Sequence, residues 1–322
     1  MHNLVIDEIR GEVVEARHVV NAIVMKKGQA EMIIGNPHMV VPMRSTAKPL
    51  MLCPLLKECK REGILLSDEK IAIMASSHNG EDVHRDAVMS ILDMSNSTVD
   101  NLVCGCHLPY FEWLYDEFFA EQNLKKRQLF HNCSAKHAGM ILLAKLLGVS
   151  REQYWEIKHP VQQAILKSIE CFLEPKSGEK ILLAKDGCGV PTYCVSLYQI
   201  ANAYVKLWCS EELAPVCKAI LSKPYYLAGK DRIETDIILS RKYIAKSGSS
   251  GLFVVSCPQD DIAIALKISD GSDEAAESAA IEILRTVGLL DEIECAKFEK
   301  YRMLEINTST HVFAGRFSPT WL

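Results

Sequence analysis

The sequence lacks both the long apolar segment of a membrane protein and the basic runs of a nucleic-acid-binding protein. No apolar stretch reaches the roughly 18–20 residues that a helix needs to cross a bilayer. The formal net charge is -5 and Lys and Arg are dispersed, so electrostatic attraction to nucleic acid is weak. The opening residues, MHNLVIDEIRGEVVEAR, are too acidic and too often interrupted by charge for a signal peptide. We therefore expect a cytoplasmic protein with no membrane and no nucleic-acid partner.

Several common catalytic and cofactor-binding motifs are also missing. The chain has no P-loop, no glycine fingerprint of a dinucleotide-binding fold and no H-E-x-x-H zinc motif. Pairs of Asp and Glu occur only in surface-like stretches, so nothing indicates the two carboxylates of a glycosidase. No organic cofactor is predicted.

The chain does have an ordinary globular composition and many cysteines. Of its 322 residues, 48% are hydrophobic and 24% are charged, which suits a soluble protein with a sizeable core. The length fits one large domain or two closely packed ones. Because no linker-like tract is present, we predict a single domain over residues 1–322. The 12 cysteines are expected to be free thiols, since a chain of this size needs no disulfides.

Strand-like patterns near both ends of the chain predict one antiparallel sheet. Residues 11–36 read as half-buried strands with a turn at Gly28. Near the C-terminus, GLFVVS and DIAIALKIS flank a CPQD turn as a hairpin, and a helix is expected over 273–287. The section at about 50–245 is largely helical in pattern, with a clear amphipathic helix over 137–148. We therefore predict an α/β fold of the α+β type, with a central antiparallel sheet of N- and C-terminal strands packed with helices.

One local pattern is Ser-x-x-Lys, the spacing of acyl-transfer enzymes in which lysine activates a serine nucleophile. It occurs at 45–48, 67–70 and 177–180. The last two copies lie in charged stretches and are interpreted as solvated turns. The first lies between apolar segments, so Ser45 and Lys48 are expected near the core, at the start of a helix where the two can touch. The alternative is a Ser N-cap followed by a surface lysine.

Two further polar regions are candidates for chemistry. SSHNGEDVH, at 76–84, follows an apolar run and is either an active-site loop or the capped start of a helix. HNCSAKHAG at 131–139 and DGCGVP at 186–191 combine thiols with Lys, His and Asp, a mixture that suits zinc. Because neither segment contains a C-x-x-C pair, buried structural thiols are the alternative.

Six motifs occur in order along the chain and are together far more specific than any one of them. They are PMRSTAKP (42–49), SSHNGE (76–81), CGCHLP (104–109), NCSAKHAGM (132–140), DGCGVPT (186–192) and LKISDG (266–271). With this set the chain resembles the rhizobial-type, or thermolabile, L-asparaginase II family. The resemblance spans most of the sequence. It implies a fold similar to those of serine-dependent glutaminases and β-lactamases.

The resemblance also implies the site residues. It pairs Ser45 with Lys48 and Ser77 with Lys267 as catalytic groups, and it implies one zinc ion per chain and a homodimer. The residues that match metal ligands are Cys133, Lys136 and Cys188. Those that match substrate-binding positions or lie in the same motifs are Arg44, His78, Asn79, Gly80, Glu81, His137 and Asp186.

Three positions depart from the family pattern. Asn79 replaces a frequent serine, Ala135 replaces the usual glycine, and Ser250 stands where an acidic residue is common. These changes leave the expected nucleophiles intact. They bear on substrate preference and on the metal site.

The predicted activity is hydrolysis of L-asparagine to L-aspartate and ammonia through an acyl-enzyme. We expect Ser45 to attack with Lys48 as its base, while Ser77 and Lys267 relay a proton, although the two pairs can exchange roles. Three alternatives stay open. One is a glutaminase or another small-amide serine hydrolase, and one is a non-catalytic ligand-binding protein. The third is a zinc hydrolase built on Cys104, His107, Cys133 and Cys188.

Overall fold

A computed structural model of the chain describes residues 3–175, 180–241 and 243–322. It divides into two compact units. The first unit comprises Met1–Thr46, Val195–Val205 and Tyr243–Leu322, and the second comprises Ala47–Cys194 and Lys206–Lys242. The single domain expected over 1–322 stays a prediction, because compact units need not be separate domains.

The secondary structure alternates between strand-rich ends and a helical middle. In chain order the strands are β1 (Leu4–Arg10), β2 (Val13–Lys26), β3 (Gln29–Ile34), β4 (Val40–Pro42), β5 (Leu182–Lys185), β6 (Pro191–Ser196), β7 (Ile244–Gly248), β8 (Leu252–Cys257), β9 (Ile262–Ile268), β10 (Glu305–Asn307) and β11 (Phe313–Trp321). The helices are α1 (Lys48–Met51), α2 (Cys53–Arg61), α3 (Asp68–Met74), α4 (Asp82–Met94), α5 (Tyr115–Ala120), α6 (Leu124–Arg127), α7 (Ser134–Leu146), α8 (Pro160–Leu173), α9 (Leu197–Cys209), α10 (Ala214–Ser222), α11 (Pro224–Leu227), α12 (Ile233–Arg241), α13 (Asp273–Thr286) and α14 (Glu292–Arg302).

The first unit is built on an antiparallel sheet of eight strands. Their order is β10–β11–β1–β2–β9–β8–β7, with β3 paired to β2. Leu4 of β1 lies opposite Trp321 of β11, so strands from the two ends of the chain are neighbours. In the register of β2 and β9, Asn21 lies opposite Lys267. The predicted fold class, with N- and C-terminal strands in one antiparallel sheet, is confirmed.

Helix α13 covers strands of this sheet. Ser272 caps its first turn by accepting a hydrogen bond from Ala275 N at 3.1 Å. Asp273 and Glu274 follow, where the partial positive charge of the helix end favours acidic side chains. Small buried alanines such as Ala276 and Ala279 let the helix lie close to the strands.

Helix α7 occupies the core of the second unit. Every residue from 134 to 144 is buried, and the helix packs against α2, α3, α4 and α8. A helix that is buried on all sides needs neighbours all round, and the surrounding helices supply them. Because α7 begins at Ser134, the polar residues of the NCSAKHAG motif lie on its first turns and are buried with it.

Several local predictions can be compared with the structure. The β8–β9 hairpin and the helix at 273–287 are confirmed. The apolar run before SSHNGE, KIAIMASS, is mostly helical, within α3. Of the strands predicted over 11–36, the part before the Gly28 turn is one long strand, β2. None of the helices in the described ranges has the length and hydrophobicity needed to cross a membrane.

Candidate active site

The predicted site residues are distributed over the two units. Arg44, Ser45 and Lys267 belong to the first unit. The second unit contains Lys48, Ser77, His78, Asn79, Gly80, Glu81, Cys133, Lys136, His137, Asp186 and Cys188. Each predicted serine–lysine pair has one member in each unit, and both pairings stay predictions. The contacts described next lie within the second unit unless stated otherwise.

Lys48 begins helix α1 and is fully buried. Its Nζ donates to the carbonyl oxygens of Ser76 at 2.5 Å and Asn132 at 3.1 Å. It also donates to Ser77 Oγ at 3.2 Å. Pro49 follows in the first helical turn, where a backbone N–H has no intrahelical partner to lose. The lysine of the RSTAK motif is therefore in direct contact with a serine of the SSHNGE motif.

The acceptors around Lys48 Nζ in these contacts are neutral oxygens. Burial lowers the pKa of Lys48, because the ammonium form loses its hydration. Charge on Cys133 opposes this shift, and charge on Lys136 adds to it. A lysine in this setting is closer to its amine form than an exposed lysine, and an amine can accept the proton of the Ser77 hydroxyl.

Ser77 lies in the irregular segment 75–81 between α3 and α4. Its N–H donates to Leu227 O at 3.0 Å, and Asn79 N–H donates to Ala228 O at 2.9 Å. The Ser77 segment is therefore anchored on the last residue of α11 and on the residue after it. Sequence reasoning missed this partner region, 225–235, because its letters YYLAGKDRIET match no catalytic motif.

Glu81 joins the Ser77 segment to that partner region. Its Oε1 accepts from Asn79 Nδ2 at 3.1 Å and from Lys230 N at 2.9 Å, and its Oε2 accepts from the Tyr225 hydroxyl. Gly229 has φ +120°, and a Cβ there would lie 2.4 Å from Glu81 Oε1. It would also lie 2.5 Å from Asn79 Nδ2. A side chain at 229 would therefore displace the Asn79 amide and the Glu81 carboxylate. In this structure the polar atoms of Asn79 and Glu81 hold the loop together.

His78 and Gly80 are also buried in this segment. Ser134 Oγ donates to Leu129 O at 3.2 Å and lies 3.0 Å from His78 Nε2. His78 Nε2 therefore carries the proton in this contact and Nδ1 is an acceptor, for which the described residues supply no donor. Burial lowers the pKa of His78 well below its usual value. Gly80 has φ +87°, and a Cβ there would lie 2.8 Å from Phe130 O.

Two thiols, a lysine and a carboxylate form a compact buried cluster. Lys136 Nζ lies 3.0 Å from Cys188 Sγ and 3.3 Å from Asp186 Oδ2. Cys188 Sγ is 3.5 Å from the same carboxylate oxygen. The fourth member, Cys133, is hydrogen-bonded to Cys188. Lys136 and Cys133 lie one turn apart at the start of α7, which is why both reach the DGCG turn after β5.

The side chains of this cluster change one another's pKa values. The hydrogen bond from Cys188 lowers the pKa of Cys133 well below its usual value, with help from Lys136 and Lys48, whereas burial opposes the shift. The pKa of Cys188 is raised in turn. Burial alone lowers the pKa of Lys136, but Cys133, Cys188 and Asp186 outweigh burial and raise it well above its usual value. The cluster therefore combines an ammonium with a thiolate and a carboxylate.

This donor set suits a metal ion. The ligand atoms of Cys133, Asp186 and Cys188 lie within 4.8 Å of one another. Thiolates and carboxylates are accepted zinc ligands. Lys136 fits as a ligand only after losing a proton, and a bound Zn²⁺ would supply the positive charge that its ammonium supplies here.

His137 follows Lys136 on α7 and is fully buried. Its Nδ1 lies 2.7 Å from the Tyr154 hydroxyl. Burial, together with the charge of Lys136, lowers the pKa of His137 to about 3. His137 is therefore a neutral imidazole at neutral pH.

The predicted residues of the first unit have their own local settings. Ser45 lies in a short 3₁₀ helix, Arg44–Ala47, directly before α1, and is buried. Arg44 has φ +47°, an uncommon value for a residue with a side chain. Lys267 lies on β9, and its Nζ donates to the carbonyl of Ile268. Burial lowers the pKa of Lys267, and charge on Asp270 opposes this shift.

The remaining sequence candidates lie elsewhere. Ser67 caps α3 by accepting from Lys70 N at 3.4 Å, as a turn residue does. Ser177 lies outside the described residues. The zinc-hydrolase alternative required Cys104 and His107 beside the cluster thiols. In the described ranges, however, Cys133, Asp186 and Cys188 form the one group of three such ligands found.

Comparison with known proteins adds three findings. Residues 6–319 match the model of a family described as L-asparaginase II. A penicillin-binding protein homologue from Pyrococcus abyssi, described as octameric, is 12% identical, with a TM-score of 0.40, over 89% of this chain and 78% of its own. A β-lactamase from Mycobacterium bovis is also 12% identical with a TM-score of 0.40, over 88% of this chain and 95% of its own. Similarity at this level carries no inference about function. A search of curated proteins found no match.

Proposed function

We propose that this chain, which belongs to the L-asparaginase II family, hydrolyses the side-chain amide of L-asparagine to L-aspartate and ammonia. Family membership makes it an asparaginase-type amidohydrolase acting on a small molecule. One observation carries the catalytic part of the proposal. It is the 3.2 Å contact between Lys48 Nζ and Ser77 Oγ inside a buried region.

In the proposed first step, Ser77 Oγ forms a bond to the amide carbon of the substrate. A neutral hydroxyl is a weak nucleophile, so Lys48, as an amine, takes the hydroxyl proton while the bond forms. The carbon–nitrogen bond then breaks, and the same proton goes to the departing nitrogen, which leaves as ammonia. An ester between Ser77 and the aspartyl group remains.

In the proposed second step, a water molecule attacks the ester carbon. Lys48 accepts a proton from the water and returns it to Ser77 Oγ as the ester bond breaks, so that aspartate leaves and the enzyme is restored. Backbone N–H groups stabilise the negative oxygen of each tetrahedral intermediate. Because burial lowers the pKa of Lys48, the lysine can alternate between amine and ammonium forms.

The resemblance gives Ser45 and Lys267 a part in the same reaction. Ser45 directly precedes α1, which Lys48 begins, and Lys267 is a lysine whose pKa burial lowers. We propose that one serine attacks and the other relays a proton. The contact with Lys48 favours Ser77 as the nucleophile, and the motif spacing favours Ser45.

We also propose that each chain binds one zinc ion through Cys133, Lys136 and Cys188, with Asp186 beside them. Zinc there would neutralise the thiolates and fix the DGCG turn relative to α7. The serine supplies the nucleophile, so no step depends on a metal-activated water. A homodimer, which the resemblance implies, and a cytoplasmic location, which the sequence composition suggests, complete the proposal.

The test is ammonia release by the purified protein from L-asparagine, with L-glutamine as the comparison substrate. Quenching during turnover and mapping peptides by mass spectrometry should locate an aspartyl ester on Ser77. Ser77→Ala should remove both the ester and the activity. Ser67→Ala is the matched control, because Ser67 belongs to another Ser-x-x-Lys copy and only caps a helix.

Three outcomes would change the proposal. An ester on Ser45, with activity kept in Ser77→Ala, would exchange the two serines. Faster release from glutamine than from asparagine would change the substrate. No release from either amide would end the amidohydrolase assignment for these substrates.

A further inference from the structure

Arg232 connects the Ser77 segment to region 225–235. Its Nη1 donates to the carbonyl oxygen of Ser77 and to Asn79 Oδ1, each at 3.2 Å. Its Nη2 donates to Glu234 Oε1 at 3.0 Å. One planar guanidinium therefore binds the backbone of the proposed nucleophile and a carboxylate at the same time.

The backbone of Ser77 is held on both sides. Its N–H donates to Leu227 O at 3.0 Å, and its C=O accepts from Arg232. With both flanking peptide groups fixed by one region, the direction of the Ser77 side chain is set by its own χ1 torsion, which has few staggered values. The 3.2 Å distance from Ser77 Oγ to Lys48 Nζ depends on that direction.

Arg232 is itself held in place. The ion pair with Glu234 is buried, with side-chain exposures of 11% for Arg232 and 1% for Glu234. The guanidinium also lies 4.8 Å from the centroid of the Tyr110 ring, a cation–π distance. A guanidinium fixed in this way can hold the Ser77 carbonyl in one place, whereas a mobile surface arginine cannot.

We infer that Arg232 is a positioning residue: by binding the Ser77 carbonyl it sets the angle at which Ser77 Oγ meets Lys48 Nζ. This rests on the proposed function only in taking Ser77 as a reactive serine. The guanidinium supplies two separated donors in one plane, and a lysine ammonium does not reproduce that geometry. Arg232→Lys should therefore keep the charge beside Glu234 and still misplace Ser77.

The test measures Ser77 reactivity apart from amide turnover. A small fluorophosphonate labels an activated serine: an Oγ–P bond forms, the P–F bond breaks, and the serine proton is released. We expect Arg232→Gln to slow this labelling and to lower kcat about 100-fold, the scale of a small misplacement of a reacting group. KM should change less than about threefold, since Arg232 is proposed to act through Ser77 and not on the substrate.

Arg151→Gln is the matched control. Arg151 donates to the Asn96 carbonyl at 2.9 Å and to Ser97 Oγ at 2.6 Å, so it makes the same kind of contact away from Ser77. Its labelling rate should equal that of the wild type. In Arg232→Ala, added guanidinium should restore part of the lost labelling rate, which a general loss of stability would not allow.

Labelling of Ser77 at the wild-type rate in folded Arg232→Gln would overturn the inference. If Arg232→Gln does not fold, the labelling rate of Arg232→Lys decides instead. A wild-type labelling rate in Arg232→Lys would also overturn the inference. A wild-type Ser77 that resists labelling also overturns it. If the wild type is labelled and yet releases no ammonia from asparagine, the proposed function fails, and the comparison of labelling rates still decides the role of Arg232.

Discussion

Lys48 and Lys136 are two buried lysines of the second unit whose pKa values are shifted in opposite directions. Lys48 has an exposure of 0% and Lys136 of 6%, so burial does not separate them. Lys48 donates to two carbonyls and a hydroxyl. It also has a hydrogen bond with Cys133, but burial still lowers its pKa. Lys136 faces two thiols and a carboxylate, which overcome burial and raise its pKa.

The difference teaches that burial alone does not make a lysine a base. Around Lys48, neutral oxygens and the neighbouring thiol of Cys133 do not compensate the cost of desolvation, so the proton is released more easily. Anionic partners hold the proton and turn the lysine into a fixed cation. The fold therefore places a proposed base and a counter-ion near each other with the same type of side chain.

The largest expected effect comes from removing the base or its serine. Lys48→Met should lower kcat by about 10²–10⁴-fold, the usual contribution of a general base. Ser77→Ala should lower kcat at least as much, because both groups act in one step. Steady-state kinetics with asparagine checks this. Lys136→Met in metal-free protein should reduce activity less than Lys48→Met, and equal losses would contradict the contrast between the two lysines.

The second effect is on stability, where Lys136→Met should cost more than Lys48→Met, the reverse of the order expected for activity. Lys136→Met leaves a buried thiolate and carboxylate without their cation, and should lower the free energy of unfolding by about 3–5 kcal/mol. Lys48→Met leaves two carbonyls without a donor and should cost about 1–3 kcal/mol. Urea unfolding of the metal-free proteins at neutral pH measures both. A larger loss for Lys48→Met would show that the neutral oxygens around it matter more than the anionic cluster.

Zinc should act most directly on Lys136, which is a proposed ligand, and less directly on Lys48, which interacts with the proposed ligand Cys133. At a free zinc concentration about 100 times the dissociation constant, binding should stabilise the wild type by about 2.7 kcal/mol. Because zinc ligands must be deprotonated, uptake should release protons, and Cys188→Ser should release fewer and bind more weakly. Calorimetry in buffers of different ionisation enthalpy measures the released protons. Equal zinc affinity in Cys188→Ser would remove that residue from the proposed site.

The smallest expected effect is on the pH dependence of stability, and it concerns two histidines whose pKa values are shifted in opposite directions. His78 has a lowered pKa owing to burial, so its contribution to stability is complete above the unfolded pKa of about 6.5. That contribution is lost as pH falls towards the folded value, by at most about 1.4 kcal/mol per pH unit. Burial also lowers the pKa of His18, but hydrogen bonds with Glu8 and Asp270 outweigh it and raise that pKa. The contribution of His18 is therefore complete below about pH 6.5 and lost as pH rises through the folded value.

Unfolding free energies at several pH values separate these two histidines. His18→Gln should have a lower free energy of unfolding than the wild type at pH 6, and the difference between the two should become smaller at alkaline pH. A variant at His78 should lose the acid sensitivity of the wild type. Gaps that stay constant with pH in both variants would show that neither imidazole titrates differently in the folded state.

The sequence predicts the fold better than the contacts. Two apolar runs on either side of a CPQD turn were enough for the β8–β9 hairpin, and alanines with acidic residues in the first turn were enough for α13. These are local signals. β1 carried a weaker one, because LVIDEIR mixes apolar and charged residues, and its place depends on pairing with β2 and β11.

The contact between Lys48 and Ser77 could not be read from the sequence. Spacing linked Lys48 to Ser45, three residues away, whereas the contact with Ser77 requires the Lys48 side chain to reach the segment that follows α3. Arg232 had no signal beyond a polar run with a glycine. Cys133 and Cys188 were suspected because thiols beside His and Asp are unusual. The protonation states of these two thiols depend on the side chains around them, and the folded structure alone shows which side chains those are.

The pairing of β1 with β11 has a consequence for how the protein is made. Leu4 lies opposite Trp321, so the first strand leaves the ribosome almost a whole chain before its partner is synthesised. At about 5–20 residues per second, β1 waits roughly a quarter of a minute to a minute with one edge unpaired. During that interval the nascent chain offers an open strand to any other extended peptide. A holding chaperone that covers this open edge during synthesis should therefore raise the yield of native protein.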